Sequence, residues 1–238
     1  MTTSGTAGFN LDLSDLVEEA FERCGKELRT GYDLRTARRS LNLLTIEWAN
    51  RGINLWTIEQ GSIPMVTGQS TYDLPVDTID LLDTVIRTGS GQNQTDINIT
   101  RISESTYLTI PNKNAQARPI QVWINRQSGA EYSVTGVNNP KIVVWPTPNA
   151  PGDQYTFVYF RLRRIQDAGG GVSTQDIPFR FLTCMVAGLA FYLSAKLPEV
   201  DPQRVLFLKS EYEQQFQLAA DEDREKAPVR FVPRNMFY

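Results

Sequence analysis

The sequence predicts an α+β protein. Helices from both ends of the chain form one bundle, an antiparallel β region is inserted between them as a sandwich or small barrel, and an extended tail follows. Three observations lead there. Apolar residues recur at helical spacing as far as Trp48, the period changes to two from Leu55 to about Gln166, and helical spacing returns after Pro178. The divisions fall at residues 1–54, 55–167, 168–226 and 227–238.

Leu13, Leu16, Val17, Ala20, Phe21 and Cys24 lie on one side of a helix running from about Asp12 to Cys24, with Asp12 and Asp15 as its capping pair and Gly25 at its exit. Leu34, Ala37, Leu41, Leu44 and Trp48 form the seam of a second helix, for which Asp33 sits at the N-cap position and Gly52 at the exit. Leu43 and Ile46 lie off that seam, so a second face is partly apolar and could meet another subunit. Leu55 to Glu59 and Ser70 to Leu74 read as two strands of a hairpin that turns at Thr67-Gly68-Gln69.

Ile120 to Asn125 and Ile142 to Trp145 read as further strands, and Tyr155 to Arg164 as the longest; one short helical turn falls at Ser103 to Ile110. Gly89-Ser90-Gly91, Asn138-Asn139-Pro140 and Pro146 to Gly152 supply the turns between strands, about seven in all. Ala168 to Gly171 is a flexible joint. Asp176 and Pro178 then open a third helix, as N-cap and early-turn proline, in which Gly188 and Ala190 let a neighbouring helix come close. Pro198 to Pro202 turns the chain into a fourth, with Val205, Leu208, Tyr212, Phe216 and Ala219 as its stripe.

A hydrophobic content of 41% with 21% charged residues belongs to globular rather than disordered chains. There is no histidine, which removes the commonest proton-transfer side chain near neutral pH and the commonest metal ligand. The two cysteines, Cys24 and Cys184, each sit on an apolar helix face and read as buried reduced thiols, so neither a zinc site nor a disulfide framework is expected. Phe181 to Ala195 carries no charge, but it is shorter than the roughly 18 residues that span a bilayer and is bracketed by Arg180 and Lys196, so no membrane is expected. Met1 to Asn10 lacks a basic stretch followed by an apolar core, which points to folding in a reducing cytoplasm. A net charge of −3 suits a surface that DNA slides past better than one that grips phosphates.

The C-terminal stretch departs most from the rest. Ala227 to Tyr238 has no acidic residue and carries Arg230, Phe231, Arg234, Asn235, Met236, Phe237 and Tyr238, while Pro228 and Pro233 prevent a helix. Extended at about 3.3 Å per residue it spans about 40 Å. It can fray, fold back, or bury its aromatic groups in a groove on a partner. Arg35, Arg38 and Arg39, with Asn42, occupy the face of the second helix opposite its seam; they could be solvated, pair with carboxylates of a neighbouring subunit, or face DNA. Arg161, Arg163 and Arg164 close the last strand, where either a nucleic-acid surface or ordinary packing could use them. Gly169-Gly170-Gly171 lacks the Lys-Ser/Thr of a phosphate-binding loop. Glu18, Glu19 and Glu22 offer neighbouring carboxylates, the minimum for glycoside hydrolysis, on what is most simply a helix surface. No catalytic, metal or cofactor residues are assigned.

One pattern extends along most of the chain. Leu41-Asn42-Leu43-Leu44, Glu47-Trp48, Asn50 and Gly52-Ile53 lead into Trp56 and a hairpin from Gly61 to Pro75; later come a Phe179-Arg180-Phe181 helix start and a long closing helix. This resembles the head-to-tail adaptor, or tail tubular, proteins of short-tailed bacteriophages. The resemblance implies a structural virion protein without catalysis, made in the host cytoplasm and joining the capsid portal to the tail. It implies a homo-oligomeric ring, usually a dodecamer, that encloses the channel through which double-stranded DNA leaves. It implies portal anchoring by Arg230 to Tyr238, and contact with a further tail (nozzle) protein through the hairpin, with Gly61, Met65, Gly68 and Tyr72 as candidates. Two other readings stay open: an accessory wall-degrading tail enzyme using helix carboxylates, and a β-domain carbohydrate or nucleic-acid binder.

Overall fold

The computed structural model describes residues 3–28, 31–53, 55–126, 139–152 and 154–223. Arg230, Phe231, Arg234, Asn235, Met236, Phe237 and Tyr238 lie outside these, as does the turn residue Asn138. The fold is α+β, with five helices and two four-stranded sheets among the described residues, and the chain divides between Leu55 and Trp56 and again between Ile165 and Gln166.

The first unit holds α1 (Leu13–Arg23), α2 (Gly31–Asn50), α4 (Leu182–Ser194) and α5 (Pro202–Glu222). Asp12 caps α1 by accepting from the Asp15 amide at 2.9 Å. Two further orphan amides at that helix start, those of Leu13 and Ser14, donate to the carbonyls of Ser173 and Gly171, both at 3.0 Å. Asp33 is not the N-cap of α2. The helix begins at Gly31 and Asp33 lies in its first turn, where an acid still meets the positive end of the helix. Gly52, at φ +83°, ends it in the left-handed conformation.

The third predicted helix is also corrected at its start. A 3-10 turn, Phe179–Phe181, precedes α4, and the Asp176 carboxylate accepts from the Gln166 amide at 3.1 Å instead of capping. Pro202 opens α5 behind Asp201, whose carboxylate accepts from the Gln203 amide at 3.0 Å.

The helix α4 is apolar on nearly every side because α1, α2 and α5 all pack against it. Gly188 makes the closest approach possible. A Cβ there would lie 2.9 Å from both Leu44 methyls and from Cε2 of Tyr212. Overpacking of this kind costs about 1–3 kcal/mol, against about 1 kcal/mol of helix propensity gained over glycine. Gly188→Ala should therefore lose about 1 kcal/mol and Gly188→Leu about 3 kcal/mol in a urea melt. An unchanged midpoint for the leucine variant would contradict this packing.

The second unit is a pair of sheets and not a closed barrel. One has the strand order β1-β8-β3-β4 and the other β2-β7-β6-β5, with β1 Ile58–Pro64, β2 Thr71–Asp73, β3 Thr78–Thr88, β4 Thr95–Asn98, β5 Thr100–Ile102, β6 Gln121–Asn125, β7 Lys141–Trp145 and β8 Tyr155–Arg163. The first is antiparallel throughout; in the second, β5 runs parallel to β6. Side chains of both sheets, among them Leu81, Ile86, Phe157, Val122, Ile142 and Val144, share one core. Outside it, α3 (Glu104–Leu108), capped by Ser103, stacks Tyr107 on Trp123 at 5.3 Å.

The expected hairpin is absent. β1 pairs with β8 (Gly61 opposite Tyr159) while β2 pairs with β7 (Tyr72 opposite Ile142), so Met65 to Ser70 carries the chain from one sheet to the other. Turn residues announce a change of direction but not the partner of each strand. Leu55 to Thr57, read as strand, forms a 3-10 turn. The longest strand among the described residues is β3, of 11 residues against 9 in β8. Register shifts at Thr78/Asp80 and Leu81/Thr84 break the alternation of β3 and hide it from a period-two reading.

Candidate functional site

The surface of α2 opposite its buried seam combines arginines with exposed apolar groups. Arg35, Arg39, Leu43 and Ile46 follow one another at helical spacing along that face, and all four are exposed. Leu43 is 52% and Ile46 48% exposed, and Tyr32 at 67% extends the stripe. Neither arginine forms an ion pair among the described residues. The predicted trio of arginines is divided by the fold: Arg38 turns aside and donates to the Ala168 carbonyl at 2.7 Å, while Asn42 accepts from the Ala168 amide at 2.8 Å. Those two side chains clamp the returning chain. The glycines beyond complete the clamp, since a Cβ on Gly171 would sit 2.8 Å from the Ser14 hydroxyl. Gly169 to Gly171 thus serves the packing of a loop on α1.

On α1 the exposed acids Asp15, Glu18 and Glu22 form a second one-sided stripe, again with no ion pair among the described residues. Glu19 differs, joining Arg23 and Glu211 in a chain of ion pairs at 3.0 and 2.8 Å. The acidic stripe borders a groove of about 470 Å³ whose floor includes Leu11, Leu182 and Val186, with Phe9 at its edge, 76% exposed.

In the β unit the candidates fare unequally. Met65 (1% exposed) and Tyr72 (5%) belong to the shared core, and the Tyr72 hydroxyl donates to the Gln69 carbonyl at 2.8 Å and accepts from the Val66 amide at 2.9 Å. Gly61 lies under the Tyr159 ring, which a Cβ would strike at 2.4 Å. Gly68 alone is exposed, at the tip of the turn with φ +80°. Arg161 and Arg163 are consumed internally: Arg161 pairs with Asp77 at 2.6 Å and Glu59 at 2.8 Å, and Arg163 with Glu59 at 2.6 Å.

One group escaped the sequence reading. Glu47 accepts from the hydroxyls of Tyr192 (2.5 Å) and Tyr212 (3.2 Å), pairs with Arg51 at 2.5 Å, and Arg51 reaches Glu213 through two bonds of 2.9 Å. The Glu47–Arg51 spacing of four was the available signal. Arg51 also lies over the Phe216 ring at 4.4 Å. The cluster joins α2, α4 and α5.

Burial, and then the hydrogen bond to Glu47, push the Tyr192 hydroxyl up to about 12. Burial and the Glu47 charge raise Tyr212 as well. A hydroxyl raised in the folded state adds stability that is whole below the ordinary tyrosine value of 10.0 and is lost as pH climbs through the folded value near 12. Ultraviolet titration should show these tyrosines ionising late and together with unfolding; ionisation of every tyrosine near pH 10 in a folded chain would refute the network. Burial likewise holds the Cys24 thiol at about 11 and that of Cys184 at about 12, so both are inert in the folded protein.

No group of His, Cys, Asp or Glu among the described residues could hold a metal ion, and no described helix is long and apolar enough to cross a membrane. A comparison with curated proteins finds no match. The SU10 adaptor protein family model matches residues 11–234, through both units and into the tail. The chain therefore belongs to the SU10 adaptor protein family, a family of phage head–tail adaptors.

Proposed function

We propose that the chain is a ring-forming adaptor, fixed beneath the capsid portal and continued by the next tail component, with the genome passing through its bore. The observation that carries this reading is the family match over nearly the whole chain, at residues 11–234. The exposed apolar and arginine-bearing face of α2 supports it, since a subunit that presents such a face gains from a neighbour. In this reading the four long helices form the ring wall, and the tail with Arg230, Phe231, Arg234, Asn235, Met236, Phe237 and Tyr238 anchors in the portal. Arg35 and Arg39 meet a neighbouring subunit or the DNA channel, and Arg38 keeps its structural task.

For the distal tail contact the exposed turn of Gly68 with Val66, 51% exposed, is the part of the proposed segment that is free to touch a partner. Tyr72 holds that turn from within through its bonds to Val66 and Gln69, beside the buried Met65, while Gly61 lies back in β1 under Tyr159. A net charge of −3 leaves double-stranded DNA free to slide without sequence-specific contacts. The protein does no chemistry in this role; it closes the head, offers a docking surface, and lets the genome out on ejection.

Sedimentation with tailless heads tests it. The chain should travel with heads that carry a portal and stay behind with heads that lack one. Equal binding to both, or to neither, would defeat the proposal.

A further inference from the structure

We infer that neighbouring copies meet through two different patches: the α2 stripe of one copy docks on the acidic groove of α1 and α4 in the next. The inference rests on the ring reading and names the surfaces that would make the ring. Three observations support it.

The charges are complementary. Arg35 and Arg39 have no carboxylate partner among the described residues of their own chain, and Asp15, Glu18 and Glu22 have no cation. Their spacings agree too. Arg35 and Arg39 are four residues apart, as are Glu18 and Glu22, and at 1.5 Å per residue both pairs are separated by about 6 Å along their helices. The two arginines can then pair with the two glutamates when the helices lie side by side.

The apolar parts fit as well. Leu43 and Ile46 continue the arginine stripe toward the C-terminal end of α2 and are half exposed. The acidic stripe borders the groove of about 470 Å³ floored by Leu11, Leu182 and Val186, enough room for two aliphatic side chains. Seating Leu43 and Ile46 there would cover apolar surface on both copies while the charges at the rim fix the register.

The geometry also sets the symmetry. The two patches differ, so the contact is head-to-tail; each copy keeps one free patch after pairing, and the series ends only by closing on itself. A self-complementary contact would stop at a dimer.

Charge reversal of the full chain tests this, read as the concentration at which assembly occurs on portal-bearing heads. Arg35→Glu with Arg39→Glu, and separately Glu18→Lys with Glu22→Lys, should each raise that concentration at least about tenfold. An equimolar mixture of the two variants, or one chain with all four reversals, should restore it, because every interface then regains opposite charges. Leu43→Ser with Ile46→Ser should weaken assembly without rescue by either charge variant. Far-ultraviolet circular dichroism guards against misfolding, which these exposed positions do not invite. Wild-type assembly that ignores both reversals, or reversals that mixing fails to rescue, overturns the inference and leaves the ring reading intact. A wild-type chain that binds heads only as single copies removes both.

Discussion

Removing Ala227 to Tyr238 is expected to abolish attachment to portal-bearing heads while leaving the fold intact. α5 ends at Glu222, and the Asp223 carboxylate, 2% exposed, accepts from Arg180 at 3.0 Å and from the Leu55 amide at 3.4 Å. If the tail seats in the portal and not on its own subunit, the deletion should change the melting temperature by only a degree or two, about 0.5 kcal/mol.

Binding is another matter. Phe231, Met236, Phe237 and Tyr238 are the kind of anchors that carry about 2 kcal/mol or more each when seated in a groove. The arginines between them recognise carboxylates through paired hydrogen bonds. Phe237→Ala or Tyr238→Ala alone should weaken attachment by about thirtyfold, or about 2 kcal/mol. Surface plasmon resonance against immobilised portal measures both effects. A truncated chain that binds as well as the full one would remove the tail from the anchoring role.

Trp48→Ala is expected to unfold the helical unit or bring it to the edge of unfolding. Trp48 is fully buried, its ring lies 5.6 Å from that of Phe181, and its indole N–H donates to the Tyr212 hydroxyl at 3.1 Å. Truncating such a residue costs about 3–5 kcal/mol, out of a typical total of about 5–15 kcal/mol. The loss includes the donor that holds Tyr212 in place beside Glu47 and Arg51. Trp48→Phe keeps a buried ring but gives up the N–H, for about 1 kcal/mol, and three heavy atoms, for a further cavity cost of about 1 kcal/mol. The ratio of these two losses, read by guanidinium denaturation, separates packing from hydrogen bonding. Near-equal effects would mean that the hydrogen bond and not the buried volume carries Trp48.

Periodicity reveals helices better than it reveals sheets. The α2 seam and the α5 stripe could be read residue by residue because an amphipathic helix carries its partner's direction in its own spacing. The absence of charge in α4 agrees with its packing against three helices, and Gly188 was legible in the sequence as a point of close approach. Strand pairing is not written locally in this way. Ile58 to Asp73 has the turn residues of a hairpin, yet β1 and β2 enter different sheets because Met65 and Tyr72 both turn into the core between them. The bulged β3 lost its alternation and was missed.

At the surface, the three arginines of α2 look alike in sequence. Only the position of Ala168 separates Arg38, which holds the backbone, from Arg35 and Arg39, which face outward. Met65 and Tyr72 show the converse: an aromatic and a thioether beside a turn read as contact residues until their burial is seen.

The most direct measurement is the native mass of the chain alone and after addition of purified portal. Alone, a single subunit is predicted, because the α2 stripe and the α1 groove meet only weakly without a template. With portal, the mass should rise in one step by many copies of the chain, forming a closed ring. Binding of one copy per portal ring, or no binding at all, would contradict the adaptor ring at its foundation.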